Sequence, residues 1–317
     1  MLHSSLLRRG LLACAFIVLA GHAMACINEY TPLEPPRNYQ QKLDLHQLLH
    51  PVNGQPPYWQ YGFAQSPALL ARKAQLEQQD PARMHFQDLS DRAAIELRLG
   101  NTATALPWLE QLYRDHPHEY TIVANLATAY ELNGQPRRAL ELIREAIRLN
   151  PQAHGGSEWI HGKILEQQVS ARPDYRQVIN LDPNNFPNWI LDKKIPFPVA
   201  ADSLKQQLAF QLHERIALMP APDSIIGQLL FDFADILAKT EARRDTALPF
   251  YALAVHYYPR LASLATQRQQ DLVAEKKEVT KTFTWASIFW AIPLGILAFV
   301  LLAWLKSQRD LKREQRG

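Results

Sequence analysis

The sequence predicts an all-α protein in which helical hairpins stack into a solenoid, followed by a single transmembrane helix near the C-terminus. Three observations support this prediction. Among 317 residues, glycine is scarce at 12 and proline is frequent at 22, which favours helices separated by proline-containing loops. A helix–turn–helix pattern recurs within residues 86–261, and an uncharged apolar run occupies residues 283–305.

The bulk composition is that of a globular protein rather than a nucleic-acid binder. Hydrophobic residues make up 47% of the chain and charged residues 21%, which are ordinary values. The formal net charge of +3 is too small to predict a nucleic-acid surface. No nucleic-acid partner is therefore expected.

Residues 1–25 are predicted to be a secretory signal peptide. Arg8 and Arg9 precede an apolar run over residues 11–20, which is too short to span a bilayer. Residues 23–25 read Ala-Met-Ala, a small-residue cleavage site. The alternatives are an uncleaved anchor and a buried helix.

Cys26 would be the first residue of the mature chain and its only thiol, so no internal disulfide is predicted. Three interpretations stay open, namely a lipidation site, an N-terminal nucleophile and an incidental cysteine. Ala23 stands where a lipoprotein signal normally has leucine, and no other residue supports a nucleophile. The incidental cysteine is the preferred interpretation.

Residues 26–85 form a proline-rich N-terminal segment that ends in a helix. Its first part, CINEYTPLEPPRNYQQ, is predicted to be extended. Ser66 and Pro67 suit the N-cap and the first helical position of the following helix. We expect this helix to cap the open end of the solenoid, since terminal units need a modified face.

The clearest hairpin is NLATAYELNGQPRRALELIREAIRLNP, residues 125–151. Small residues let its helices approach closely, larger ones fill the gap toward the next hairpin, and a proline ends the unit. These positions are Ala127, Tyr130, Gly134, Ala139, Ile143, Ala146 and Pro151. Their spacing resembles the tetratricopeptide repeat, a helical hairpin with a period of about 34 residues. One hairpin cannot bury its apolar faces alone, so neighbouring units are expected.

The same register recurs one period earlier, over residues 86–119, without a gap. The equivalent pairs are Ala93 and Ala127, Gly100 and Gly134, and Pro117 and Pro151. Glu96 departs from the pattern because it stands in the place of Tyr130, and the adjacent Leu97 could fill that space.

Further units are predicted within the repeat domain, residues 86–261. Residues 157–185 are a degenerate unit, an irregular insertion lies at about 184–202, and residues 224–259 are a third unit. The third unit carries matching residues at Ala234, Ala247, Tyr251, Ala254 and Pro259. Before it, a helix is predicted to begin with Ser203 and Gln206 in capping-box spacing. Its apolar face consists of Leu204, Leu208, Leu212 and Ile216.

In tetratricopeptide arrays, the first helices of successive repeats line a concave groove. The resemblance of this chain to that family therefore implies a partner-binding groove. The implied groove residues are Gln87, Ser90, Asp91, Arg98, Thr121, Asn125, Thr128 and Glu131. The family's clamp for a chaperone C-terminus needs Lys and Asn where this chain has Ser90 and Ala94, so only Asn125 fits and that clamp is not expected. The alternative is that these side chains are simply solvated.

No catalytic, metal or cofactor site is predicted. The sequence contains no nucleophile elbow, P-loop, zinc-protease motif or Cys-x-x-Cys pair. Three polar clusters are interpreted as surface groups, since solvated charges are commoner than sites. They are the His-Pro-His-Glu stretch at residues 116–119, the pair His213 and Glu214, and the pair Asp232 and Asp235.

The C-terminal region is predicted to be a juxtamembrane helix at 262–282, a transmembrane helix at 283–305 and a basic cytoplasmic tail at 306–317. The uncharged run is about 35 Å long as a helix, enough to span a bilayer. With a cleaved signal peptide, the body of the protein lies outside the cytoplasm. No asparagine begins a glycosylation sequon, which favours the bacterial periplasm and a single pass through the inner membrane.

These features favour a non-enzymatic adaptor or scaffold that binds a partner protein through the groove at the outer face of the membrane. One alternative is a membrane-anchored hydrolase or maturation enzyme that uses Cys26 or an unrecognised site. Another is a structural subunit of a larger complex, held by its transmembrane helix.

Ser287, Ala291 and Gly295 lie four residues apart and form a small-residue face on the predicted transmembrane helix. We expect another membrane helix to pack there, although ordinary use of small residues is the alternative. Replacing Ala291 and Gly295 together with leucine should abolish co-purification of a membrane partner or the dimer signal in crosslinked membranes. Unchanged association would exclude this face as the contact.

Overall fold

The computed structural model describes residues 27–31, 67–181, 201–240, 244–274, 301–302 and 305–306. Within these ranges, all regular secondary structure is helical. The prediction of an all-α protein built from helical hairpins is thus confirmed.

The two best-defined repeats are consecutive antiparallel hairpins. A preceding helix, α1 (Pro67–Glu77), begins at the predicted proline. The hairpins consist of α2 (Phe86–Arg98) with α3 (Thr102–Asp115), and α4 (Tyr120–Leu132) with α5 (Pro136–Leu149).

Both hairpins turn through the same glycine-dependent cap. Gly100 and Gly134 have φ angles of +80° and +71°, in the left-handed region that favours glycine. In each turn two backbone N–H groups return to the end of the first helix. Gly100 N bonds to Leu97 O at 3.0 Å and Asn101 N to Glu96 O at 2.8 Å, the bond pattern of a Schellman cap.

Small residues allow the helices of each hairpin to pack closely. Ala93, Ala105, Ala127, Ala139 and Ala146 are all fully buried. They lie in one apolar core that runs through both hairpins. A larger side chain at any of these positions would push the paired helices apart.

The degenerate unit predicted at residues 157–185 is truncated. A short 3₁₀ turn at Ala153–Gly156 leads into α6 (Glu158–Gln168), but the helix after it, α7 (Arg176–Ile179), has only one turn. The insertion predicted at about 184–202 lies almost entirely outside the described residues.

Helix α8 (Ala201–Leu218) follows. Its predicted apolar face is confirmed, because Leu204, Leu208, Leu212 and Ile216 are all buried. The predicted capping box is wrong. Ser203 cannot be the N-cap because the helix already includes Ala201.

The last hairpin consists of α9 (Ser224–Thr240) and α10 (Leu248–Tyr257), and residues 262–274 form a further helix, α11. The repeat residues Ala234, Ala247, Tyr251 and Ala254 are buried, as their spacing predicts. This hairpin and α8 form a second apolar core. Helix α6 joins the two cores, because Leu165 lies in the first and Ile160 and Ile164 in the second.

Two polar pairs predicted to be solvent-exposed are not. Asp232 and Asp235 on α9 are 6% and 5% exposed, and Glu214 on α8 is 4% exposed. Burial raises the pKa of Asp232 well above its ordinary value, although Gln228 Nε2 donates to its carboxylate at 2.9 Å. Asp235 accepts from the Tyr251 hydroxyl at 2.6 Å and pairs with Arg268 of α11 at 3.0 Å. The i,i+3 spacing of Asp232 and Asp235 predicted an outer face because charged residues are seldom buried. In the structure, α9 is enclosed on nearly all sides.

The predicted signal peptide and nearly all of the predicted transmembrane helix lie outside the described residues. Leu301, Leu302 and Leu305 at its end are helical and exposed. Among the described parts of the chain, no helix has the length and hydropathy needed to cross a membrane.

The close contact between α9 and the end of α10 depends on Gly227. A Cβ there would meet the Tyr258 side chain and would lie 2.9 Å from its backbone nitrogen, while Gly162 on α6 has room for one. Gly227→Ala is therefore expected to lower the free energy of unfolding by about 1–3 kcal/mol. Gly162→Ala, the matched control, is expected to raise it by up to about 1 kcal/mol. Urea unfolding of both variants tests this, and equal stabilities would contradict it.

Candidate functional site

The predicted groove residues lie together on the inner face of α2 and α4, but most are not open to solvent. Ser90, Asp91, Arg98, Asn125, Thr128 and Glu131 are buried. Gln87 is exposed and Thr121 is half-buried. The chain itself covers this face, using the N-terminal segment 27–31 and helix α8.

Asn125 holds the backbone of the N-terminal segment through a pair of hydrogen bonds. Asn28 N donates to Asn125 Oδ1 at 2.6 Å, and Asn125 Nδ2 donates to Asn28 O at 2.7 Å. The side-chain amide therefore pairs with both backbone groups of one residue, the N–H and the C=O of Asn28. Asn125 is fully buried, so neither bond competes with water.

Asp91 holds Tyr30 and Thr31 by their backbone amides. Tyr30 N donates to Oδ1 at 2.6 Å and Thr31 N to Oδ2 at 3.0 Å. Arg72 of α1 reaches the same carboxylate at 3.2 Å. Burial still raises the pKa of Asp91, although these donors favour the carboxylate.

Arg98 binds both the backbone and a side chain of the segment. Its Nη2 donates to Ile27 O at 3.1 Å, and its Nε pairs with Glu29 Oε1 at 2.9 Å. Glu214 of α8 lies 3.4 Å from Nη1. Burial raises the pKa of Glu29 even though Arg98 favours its charged form. A buried guanidinium is thus shared between the segment and α8.

The other side chains of the segment also have specific contacts. His154 Nε2 lies 3.0 Å from Asn28 Oδ1. The Tyr30 hydroxyl donates to Glu119 at 3.0 Å, and its ring meets Phe86 edge-on at 5.7 Å. Burial and the Glu119 carboxylate raise the pKa of Tyr30. Asn28, Glu29 and Tyr30 therefore each have a side-chain contact of their own.

The stretch at residues 116–119, interpreted from the sequence as a solvated loop, helps to build this site. His116 stacks on Phe86 at 4.1 Å between ring centroids, and Glu119 accepts from Tyr30.

In the described part of the chain, no group of three histidine, cysteine or acidic residues is arranged to hold a metal ion.

A buried ionic cluster joins α4 to α8 beside the segment. Glu131 accepts from Arg215 at 3.0 and 3.3 Å, lies 2.7 Å from His161 Nε2, and accepts from Gln168 at 3.1 Å. Burial alone would raise the pKa of Glu131. The charges of Arg215 and His161 outweigh burial and hold that pKa well below its ordinary value.

A second carboxylate extends this cluster toward the segment. Glu158 of α6 pairs with His154 Nδ1, and the Tyr120 hydroxyl donates to it at 3.1 Å. Burial again opposes the charged form, but His154 and His161 hold the pKa of Glu158 below its ordinary value. His154 also stacks on Phe210 of α8 at 5.1 Å. His154 thus connects Asn28, α6 and α8.

The sequence reasoning missed the residues that fill the groove, which are segment 27–31, His154, His161, Glu158 and Arg215. The resemblance to the tetratricopeptide repeat located the inner face but gave no sign of what lies on it. One feature of the sequence could have indicated a covered face. Polar residues occur on helix faces that also carry repeat-packing residues, namely Asp91, Arg98, Asn125 and Glu131. Buried polar groups need hydrogen-bonding partners, so such a face predicts a polar covering.

The inner face of this array of helical hairpins binds an extended segment, which is typical of a helical-repeat interaction protein. Residues 96–156 match the model of the tetratricopeptide repeat family. Tetratricopeptide repeats are protein-interaction modules, and the match supports a protein-interaction scaffold. Neither the curated proteins nor the solved structures include a match to this chain.

Removing the Asn125 amide leaves a buried N–H and a buried C=O of Asn28 without partners. Asn125→Ala is therefore expected to lower the free energy of unfolding by about 2–4 kcal/mol. Asn133→Ala is the matched control, because Asn133 is exposed at the end of the same helix, and a change within about 0.5 kcal/mol is expected. Urea unfolding measures both. Equal losses would show that the amide pairing contributes no stability.

The depressed pKa of Glu131 predicts a specific acid sensitivity. Because the folded-state pKa lies below the ordinary value of 4.5, protonation of Glu131 disfavours the folded state. The stabilisation of the wild type relative to Glu131→Gln is expected to be full at a pH of about 5.5 and to shrink as the pH falls below about 4.5. Urea unfolding of both proteins over this pH range tests the sign. A difference that grows on acidification would contradict it.

Proposed function

We propose that this protein is a non-enzymatic adaptor that holds an extended segment of a partner protein in the groove formed by α2, α4 and α6. The match of residues 96–156 to the tetratricopeptide repeat model supports the general role. The hydrogen bonds by which the groove holds segment 27–31 support the specific role, the binding of an extended segment.

The observation that carries the proposal is the backbone-directed hydrogen bonding of Asn125 and Asp91. Together they bind three residues of the segment, Asn28, Tyr30 and Thr31, through main-chain atoms. Main-chain bonds of this kind supply affinity for an extended peptide, while pockets for its side chains supply specificity. The groove has both, since Arg98, His154 and Glu119 contact the side chains.

The adaptor acts at the outer face of the bacterial inner membrane. The signal-like residues 1–25 and the uncharged run at 283–305 support this location. The repeats would stand in the periplasm, connected through α11 to the membrane, with the basic tail in the cytoplasm. A membrane-anchored enzyme that uses Cys26 is the competing function, and Cys26→Ser separates the two, because an adaptor without lipidation should be unaffected.

Site-specific photocrosslinking in intact cells tests the groove as the partner site. Gln87 lies exposed on α2 beside the segment, while Arg144 lies exposed on α5, the outer helix of the second hairpin. A photoreactive phenylalanine analogue at Gln87 is expected to crosslink a partner protein, and the same residue at Arg144 is not.

The crosslinked product would be identified by mass spectrometry, together with the N-terminus of the mature chain. Equal crosslinking at both positions, or none at Gln87, would contradict binding in the groove. If Cys26→Ser abolishes the function of the protein in cells while the N-terminus of the wild-type mature chain is unmodified, the enzyme would instead be favoured.

A further inference from the structure

We propose that the groove selects peptides with the pattern aliphatic–Asn–Glu–Tyr, and that segment 27–31 is a tethered copy of this ligand which a partner peptide displaces. The inference rests on the proposed function and adds the chemistry of the partner. It is carried by the side-chain contacts of the segment and by the polar groups that the segment satisfies.

The position of Glu29 selects a carboxylate. Arg98 and Glu29 have side chains that are each 1% exposed, and the guanidinium also donates to Ile27 O. A charged pair buried this deeply depends on both partners, because either alone would be an uncompensated buried charge. Glu214 of α8, at 3.4 Å, is a more distant carboxylate than Glu29. A peptide with glutamine at this position would leave the guanidinium less well compensated.

The flanking positions select a hydrogen-bonding side-chain oxygen, as asparagine provides, and an aromatic hydroxyl. Asn28 meets His154 through its side chain and Asn125 through its backbone. Tyr30 places its ring on Phe86 and its hydroxyl on Glu119. Ile27, fully buried, packs into the core of the first two hairpins, which selects an aliphatic side chain.

An empty groove is unfavourable, and this restricts what can replace the segment. Without a peptide, Asn125 would lose both of its bonds to Asn28, and Asp91, Arg98 and His154 would each lose the contacts that the segment supplies. A ligand that leaves one such buried group unpaired is expected to bind about tenfold more weakly or worse. The groove therefore exchanges one matching peptide for another instead of standing open.

The segment has a more accessible end at which exchange can begin. Exposure rises along it from 0% at Ile27 to 4% at Asn28 and 6% at Glu29. Tyr30 is half-buried and Thr31 is exposed. An incoming peptide can occupy the Tyr30 position first and displace the segment toward Ile27.

Fluorescence anisotropy with a labelled peptide tests the pattern. The probe is INEYT with a dye at its C-terminus, added to the full chain purified in detergent. In the wild type, segment 27–31 competes with the probe. Glu29→Lys places a second cation beside Arg98 and should release the segment. Probe affinity is then expected to rise at least about tenfold. Glu141→Lys, an exposed glutamate on α5, is the matched control and should bind as the wild type does.

Changes in the peptide test recognition without altering the protein. INQYT is expected to bind the Glu29→Lys chain about tenfold more weakly than INEYT, and the scrambled peptide YTNIE still more weakly. Equal affinities for the three peptides would overturn the pattern. Equal INEYT affinity in the wild type and in Glu29→Lys would overturn the tethered copy.

Hydrogen exchange on the wild type keeps the test decisive if Glu29→Lys does not fold. Excess INEYT should increase deuterium uptake within residues 27–31, where the amides of Asn28, Tyr30 and Thr31 bond to Asn125 and Asp91, and YTNIE should not. No increase with INEYT would overturn displacement. If the peptides fail while Gln87 still crosslinks a partner in cells, only the pattern is wrong. If INEYT binds but no partner is crosslinked, the proposed function is wrong.

Discussion

The polar inner face of the first two repeats has to be paired with hydrogen-bonding groups, and the rest of the structure follows from this constraint. Asp91, Arg98, Asn125 and Glu131 are buried on helices that also pack the repeat core. Left unpaired in a buried position, each would cost about 1–3 kcal/mol or more. The chain satisfies Asp91, Arg98 and Asn125 with an extended segment, and Glu131 mainly with a helix from far along the sequence.

These pairings decide how the two apolar cores are arranged. Helix α8 belongs to the second core, but Arg215 and Glu214 reach back to Glu131 and Arg98 of the first. Buried ion pairs of this kind contribute specificity more reliably than net stability, because desolvation offsets much of the attraction. Here they set the position of α8 across the inner face. The same groups that orient α8 also frame the site of the segment, so folding and peptide recognition share residues.

Much of the fold could be predicted from local patterns. The equivalence of Gly100 and Gly134, 34 residues apart, located both turns, and the structure gives both a positive φ and the same cap. The spacing of Leu204 to Ile216 predicted the buried face of α8. The capping box at Ser203 failed because helix starts depend on weak local signals that neighbouring residues can override.

The candidate site was predictable only in part, and the reason is the range of the interactions. The resemblance to the tetratricopeptide repeat placed Asp91 and Asn125 on the inner face, because the register of a repeat is set by residues a few places apart in the sequence. It could not show that Asn28, 97 residues from Asn125, would bind there, or that Arg215 would pair with Glu131 over a separation of 84. The sequence by itself determined the hairpins, their turns and the face that needs partners, since these depend on local spacing and backbone freedom. Only the tertiary structure decided which parts of the chain cover that face, because such contacts depend on how distant elements pack together.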